Sequence, residues 1–283
     1  MFQGSIVALI TPFLADDTID WVGFKRLVSW QIEQGSDALV ICGSTGESST
    51  LSSLEQKKLI EVAVLEANGR IPIIAGTGSN DTRVAVERTL QAKEAGADGC
   101  LVIFPYYNKP TLEGCMAHFE KISYSNLPII IYHHPGRTGL CFSPKQLADL
   151  CALPNVVGLK EASGNVEAML EFMRLSRVPL FSGDDSLALA LIAMGAKGSI
   201  SITGNIRPRE WSYFIQRALK GDVEGARQLY LSLSPISQAM VLETNPQCIK
   251  YAMSLEGHCT PHLRLPLLPP QEKTQKQIRS IIS

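Results

Sequence analysis

Eight short apolar runs recur through the first two hundred residues of this chain, and stretches patterned for helices separate them. The runs occupy residues 5–10, 38–42, 71–75, 99–104, 128–132, 156–160, 178–182 and 198–202. Most are nearly continuous in hydrophobicity, as expected of a strand covered on both faces. Between them apolar residues return every three or four positions, as in Phe24, Leu27, Val28 and Ile32, or Ile60, Ala63, Val64 and Ala67. That spacing lays an apolar stripe along a helix. Ser52 and Glu55 have the spacing of a capping box and predict where the second helix opens. Doubly covered strands joined by helices require parallel pairing, because a parallel neighbour is reached only through a crossover.

A faint repeat supports this reading. Gly35-Ser36-Asp37-Ala38, Gly96-Ala97-Asp98-Gly99 and Gly195-Ala196-Lys197-Gly198 each stand between a helix pattern and an apolar run. The first glycine of each suits the left-handed residue that ends a helix. Eight such units predict an α/β fold, a (β/α)8 TIM barrel, which commonly needs roughly 250 residues. A doubly wound nucleotide fold would need Gly-x-Gly-x-x-Gly after its first strand, and Ala75-Gly76-Thr77-Gly78 is only a weak echo after the third. Beyond the eighth run the pattern turns wholly helical, at 223–240, 246–256 and 271–282. We therefore expect a catalytic barrel over 1–221 and a small C-terminal helical region over 222–283.

Charge narrows the partners. Twenty-six basic and 27 acidic residues are interspersed, for a net charge of −1, so neither nucleic acid nor an anionic membrane is expected. No apolar run approaches the roughly 18 residues of a membrane span, and residues 1–5 lack the flank and core of a signal peptide. The seven cysteines are scattered without a Cys-x-x-Cys pair, which indicates neither a zinc site nor a disulfide framework. A reducing cytoplasm is the expected compartment.

In a barrel of this class chemistry gathers at the C-terminal ends of the strands. Lys160 ends the sixth run. Burial there disfavours an ammonium and produces an amine able to form a Schiff base, although Glu161 is an adjacent candidate for a salt bridge. Tyr132 ends the fifth run, 28 residues earlier and one βα unit away, so its phenol should stand beside the lysine and can move protons. Gly43-Ser44-Thr45-Gly46-Glu47 follows the second run, where turned amides, two hydroxyls and a helix N-terminus would suit an anion. Arg137 follows Tyr132 in a turn over the same mouth and can fork onto a carboxylate. His133 and His134 should point opposite ways on extended chain, a poor metal pair. His258 and His262 are expected at the surface.

Four segments together carry a resemblance over essentially the whole chain: Gly43-Ser44-Thr45-Gly46-Glu47, Tyr106-Tyr107-Asn108-Lys109-Pro110, Tyr132 with Pro135 and Arg137-Thr138-Gly139, and the stretch from Gly158-Leu159-Lys160-Glu161 to Gly164. The chain resembles the dihydrodipicolinate synthase family of class I pyruvate-dependent aldolases. The resemblance implies a homotetramer, a dimer of tight dimers, that condenses pyruvate with L-aspartate 4-semialdehyde to 4-hydroxy-tetrahydrodipicolinate on the route to diaminopimelate and lysine. It implies Lys160 as Schiff base, Tyr132 as proton donor and acceptor bonded to Ser44, and Tyr107 as a relay reaching in from the neighbouring subunit. Thr45 would hold the pyruvate carboxylate, Arg137 the semialdehyde carboxylate, and the main chain at Ile200 would line the pocket. No metal or organic cofactor is implied, since the lysine is the electron sink.

Three departures stand out. Ser44 replaces the family's usual threonine and is shared with N-acetylneuraminate lyase. His133-His134 replaces an asparagine and a small apolar residue. The family's lysine-binding cleft is matched at Ser48, Ser49, Asn80 and Tyr106, but Ser53, Gln56 and Val84 stand where it has a histidine, a further ligand position and an ammonium-binding glutamate. Lysine inhibition is therefore expected to be weak or absent. The competing functions are another pyruvate aldolase, cleaving N-acetylneuraminate or 2-keto-3-deoxy sugar acids, and a catalytically silent barrel that binds a keto acid.

Overall fold

The apolar runs become strands because an interior position is the only place where they shed water on both faces. The computed structural model describes residues 2–282. Its strands are β1 (Gly4–Ala8), β2 (Ala38–Ile41), β3 (Ile73–Gly76), β4 (Gly99–Ile103), β5 (Ile129–His133), β6 (Val156–Glu161), β7 (Leu180–Ser182) and β8 (Gly198–Ser201). All neighbours pair in parallel in chain order, and β8 closes on β1 to complete the barrel. The runs at 71–75 and 178–182 enter the sheet late, at Ile73 and Leu180. Pro72 and Pro179 have no N–H to give the ladder, although their carbonyls still accept from Leu39 and Leu159.

Helices α1 (Trp21–Glu33), α2 (Ser53–Ala67), α3 (Thr82–Glu94), α4 (Leu112–Ser123), α5 (Pro135–Thr138), α6 (Pro144–Cys151), α7 (Val166–Leu175), α8 (Ala188–Ala193) and α9 (Pro208–Leu219) wrap the barrel. The Ser52–Glu55 capping box opens α2 as its spacing required. Gly35, Gly96 and Gly195 take φ of 90°, 88° and 116°, values that only glycine adopts without strain. The repeat extends beyond these turns. Asp37, Asp98 and Lys197 each donate a backbone N–H to the preceding strand, at Ser5, Ile73 and Leu180. The two aspartates also accept the N–H of Ser5 and Ile73 on their carboxylates, both at 2.8 Å.

Strand alternation divides the core. Ile6, Ala8, Val40, Ile74, Ile130, Phe181 and Ile200 fill the barrel. Their neighbours Val7, Leu39, Ile41, Ile73, Ile131 and Leu159 face the helices in a second, larger cluster. Helices α10 (Val223–Ala239), α11 (Gln247–Leu255) and α12 (Glu272–Ile282) follow. Met240, Cys248, Ile249 and Met253 of this region join that same outer core. Lys250 of α11 reaches Glu47, at the end of the second βα turn, in a fully buried pair 2.6 Å apart. Arg264 forks onto Glu55 of α2. These bonds tie the helical region to the rim of the barrel.

Candidate active site

At the C-terminal mouth of the barrel lies a cavity of about 360 Å³, lined by residues from most of the strand ends and the turns that follow them, and from the helical region. Lys160 forms its floor. Its side chain points inward because position 160 shares a strand face with Gly158, whose missing side chain leaves room for the Phe181 ring. Gly183 leaves space for the lysine itself, since a Cβ there would stand 3.0 Å from Lys160 Cε. Tyr132 is the register partner of Lys160, and the ammonium nitrogen lies 4.1 Å from the phenol ring centroid. Both residues are nearly inaccessible, at 6% and 7% exposure.

Burial dominates the electrostatics here. Loss of water pulls the Lys160 ammonium down to about 7, with Asp185 opposing the shift and Arg137 adding to it. A large share of amine is therefore present at neutral pH. The candidate salt bridge to Glu161 does not form. Glu161 faces the other side of the strand and bonds His133 at 2.7 Å. Burial also raises Tyr132 above the usual phenol range, so its hydroxyl keeps its proton and serves as a donor.

The turn after β2 takes an unforeseen form. Its left-handed residues are Cys42 and Glu47, at φ of 58° and 55°, rather than its glycines. Gly46 instead serves close approach, since a Cβ there would lie 3.1 Å from the Leu9 carbonyl. Nor does a helix N-terminus face the cavity at this turn. A single 3-10 turn at Ser48–Thr50 intervenes, and α2 satisfies its own N-terminus through the capping box. Thr45 is buried, and its Oγ1 accepts from Asn245 Nδ2 at 2.9 Å. Arg137 Nη2 donates to the Asn245 carbonyl at 3.1 Å. Asn245 thus links two expected carboxylate binders.

Ser44 and Tyr132 line the same cavity, with no direct hydrogen bond between them among the described residues. Tyr107 lies outside it, 90% exposed with φ of 72°. Ile200 is buried inside the barrel, while Ile202 lines the cavity. His134 points into the cavity and meets Tyr132 edge-on, with ring centroids 5.7 Å apart. Burial first, then Arg137 and Lys160, lower its imidazole to about 4, so it is uncharged at neutral pH. Among the described residues no group of three or more His, Cys, Asp or Glu side chains is placed to hold a metal ion, and no helix is long and apolar enough to cross a membrane.

Sequence reasoning missed Asp185, Gly183 and Asn245. Asp185 is half-buried with its carboxylate turned from solvent, and its Oδ2 accepts from Ile202 and Thr203 N–H at 3.1 and 2.7 Å. Its other oxygen has no partner, and burial raises its carboxyl. Its signal was its place just beyond the seventh strand end. Asn245 carried no such signal, because it reaches the site from 200 residues beyond Thr45.

The model of the dihydrodipicolinate synthetase family matches residues 1–283. The 4-hydroxy-tetrahydrodipicolinate synthase of Citrifermentans bemidjiense is 46% identical over 285 residues, covering 100% of this chain and 98% of that protein. A chloride-inhibited dihydrodipicolinate synthase from Acinetobacter baumannii, complexed with pyruvate, superposes with a TM-score of 0.98 at 41% identity. It covers 100% of this chain and 98% of the other. Dihydrodipicolinate synthase from Aquifex aeolicus gives a TM-score of 0.96 at 42% identity, over 99% and 97%.

Proposed function

The chain belongs to the dihydrodipicolinate synthetase family, and from that premise we propose how its cavity condenses pyruvate with L-aspartate 4-semialdehyde. The protein is a lyase of the class I aldolase type, acting in diaminopimelate and lysine biosynthesis. Lys160 is the nucleophile. Its amine attacks C2 of pyruvate, and the carbinolamine loses water to give an imine. A proton leaves C3, forming an enamine that attacks the aldehyde carbon of the second substrate. The semialdehyde amine then attacks C2, closes the ring and releases Lys160, so that one water is lost overall in forming 4-hydroxy-tetrahydrodipicolinate.

Tyr132 gives and takes the protons of these steps, as its protonated phenol against the lysine allows. Ser44 extends the relay, and Tyr107 completes it from a second copy of the chain. Thr45 receives the pyruvate carboxylate, and Arg137 the carboxylate of the semialdehyde. The main chain near Ile200 and Ile202 forms the wall beside the lysine. The working assembly is a homotetramer of tight dimers, and its compartment is the cytoplasm, in keeping with seven free cysteines.

The observation that carries this reading is Lys160 itself, a buried amine without a carboxylate partner and poised near neutrality. The test is incubation with pyruvate and borohydride, followed by intact mass and peptide mapping. A reduced pyruvyl adduct on Lys160, absent from Lys160→Ala, is the expected result, and a folded protein without adduct would overturn it. Turnover of the semialdehyde against cleavage of N-acetylneuraminate and 2-keto-3-deoxy sugar acids then identifies the second substrate.

A further inference from the structure

Tyr132 and Lys160 face into the barrel, so His133 and Glu161, the residues that follow them, face out. These two are also register partners. His133 Nδ1 and Glu161 Oε2 lie 2.7 Å apart, and each side chain is only 2% exposed. The other carboxylate oxygen accepts the Ser163 N–H at 2.5 Å. His133 Nε2 accepts the Phe142 N–H at 3.4 Å, which assigns the ring proton to Nδ1, facing the carboxylate. The ring of Phe104 stands edge-on to the imidazole, with centroids 5.8 Å apart. Nothing in the reaction uses this pair.

We propose that His133 and Glu161 form a positioning dyad, which fixes the register of β5 against β6 and so holds the Tyr132 phenol over the Lys160 amine. The proposal rests on the Schiff-base reading of Lys160. The register needs such a device because β6 carries an irregularity: Ile129 pairs with Val156 and Ile130 with Gly158, leaving Val157 over. A strand pair that has already skipped one residue can resume at either of two registers, and a one-residue slip exchanges the faces of every side chain beyond it. In the slipped arrangement Lys160 would turn outward among the helices and Glu161 would enter the barrel without a partner. An unpaired buried carboxylate is strongly disfavoured. The dyad also keeps the Glu161 charge engaged on the outer face, where it does not neutralise the lysine.

The experiment compares full-length wild type with His133→Leu, His133→Asn and Glu161→Gln. For each, the rate of reductive trapping of pyruvate at Lys160 is measured per folded molecule from about pH 6 to 9, alongside kcat, KM and Tm. Loosened placement of reacting groups typically costs on the order of 10- to 100-fold. His133→Leu is expected to slow trapping and kcat by that factor with a smaller change in KM. Glu161→Gln, whose single amide oxygen cannot serve both His133 and Ser163, should fall between. His133→Asn keeps a donor for Glu161 and should recover most of the rate, and these two milder variants carry the test should His133→Leu fail to fold. A purely structural pair would lower Tm while leaving the trapping rate per folded molecule and its pH profile at wild-type values, and that result overturns the proposal. Absence of any adduct on wild-type Lys160 would remove the Schiff-base reading and the dyad together, an outcome distinct from equal trapping in all four proteins.

Discussion

Lys160 combines two properties that oppose each other in most proteins, deep burial and a titratable amine. The consequence for stability has a definite sign. The unfolded amine titrates near its ordinary 10.5 and the folded one at about 7. Between these values the unfolded chain binds the extra proton, so stability rises with pH across that window, and the burden of the buried ammonium is complete below about 7. Lys160→Met should therefore exceed wild type in stability most clearly at pH 7 and below, with the gap narrowing toward pH 10. Denaturant titrations at several pH values measure this, and a constant gap would show that the amine is not desolvated. Reactivity follows the same titration. Imine trapping should fall about tenfold per unit of pH below about 7, where the ammonium form prevails.

The elements around this lysine differ in how visible they were beforehand. Parallel strands buried on both faces announce themselves as apolar runs, and Gly35, Gly96 and Gly195 announced the turns between helix and strand. Adjacency of the fifth and sixth strands foretold that Tyr132 would meet Lys160, and strand alternation that the two histidines would diverge. What the chain did not announce was contact between distant segments. Glu161 was a candidate partner for Lys160 by adjacency, and the pleat sent it to the opposite face. Nothing in the sequence singled out Lys250, yet α11 delivers it to Glu47 at the end of the turn that carries Thr45. Burial lowers its ammonium while Glu47 opposes the shift. Removing one member of such a pair leaves a buried charge uncompensated, at about 3–5 kcal/mol. Lys250→Met should lose stability of that order and, because the Glu47 turn loosens, raise the KM for pyruvate more than it lowers kcat. Thermal unfolding and steady-state kinetics on the same preparation check both. A variant with wild-type Tm would show that the pair is not stabilising the rim.

At the scale of the whole molecule, two questions concern surfaces rather than the cavity. A second hollow of about 370 Å³ beside the first is lined by Ser48, Ser49 and Tyr106, with Arg88 and Arg137 also in its wall. Two guanidiniums make it unwelcoming to an ammonium, and the Glu47 carboxylate in the same wall is already paired with Lys250. Gln56 is turned away, its amide donating to the Ser48 carbonyl at 2.9 Å, and Ser53 and Val84 supply no carboxylate. Losing an ion-pair partner of the kind Val84 cannot replace should weaken lysine binding by about 3–5 kcal/mol. Inhibition is thus expected to be weak or absent, and an inhibition constant in the low micromolar to sub-millimolar range would refute it. The last question is why Tyr107 should be both strained and bare. A bulky residue at φ of 72° sits in a region that aromatic side chains rarely occupy, and such strain persists where surrounding contacts hold it. Within its own chain the loop is held by Asn108, bonded to the carbonyls of Asn80 and Tyr106, both at 2.9 Å, while the Tyr107 side chain itself is 90% exposed. A second copy of the chain would cover the ring and receive its hydroxyl into the proton relay. Two results should then appear together. Tyr107→Phe should lower kcat by roughly 10²-fold or more, the usual worth of a positioned proton-transfer group, without changing the oligomer seen by sedimentation. Dilution of wild type until it dissociates should lose activity to a similar degree. Full activity in a dissociated monomer would show that each chain carries a complete relay of its own, and the neutral imidazole of His134 beside Tyr132 would then be the first group to test in place of Tyr107.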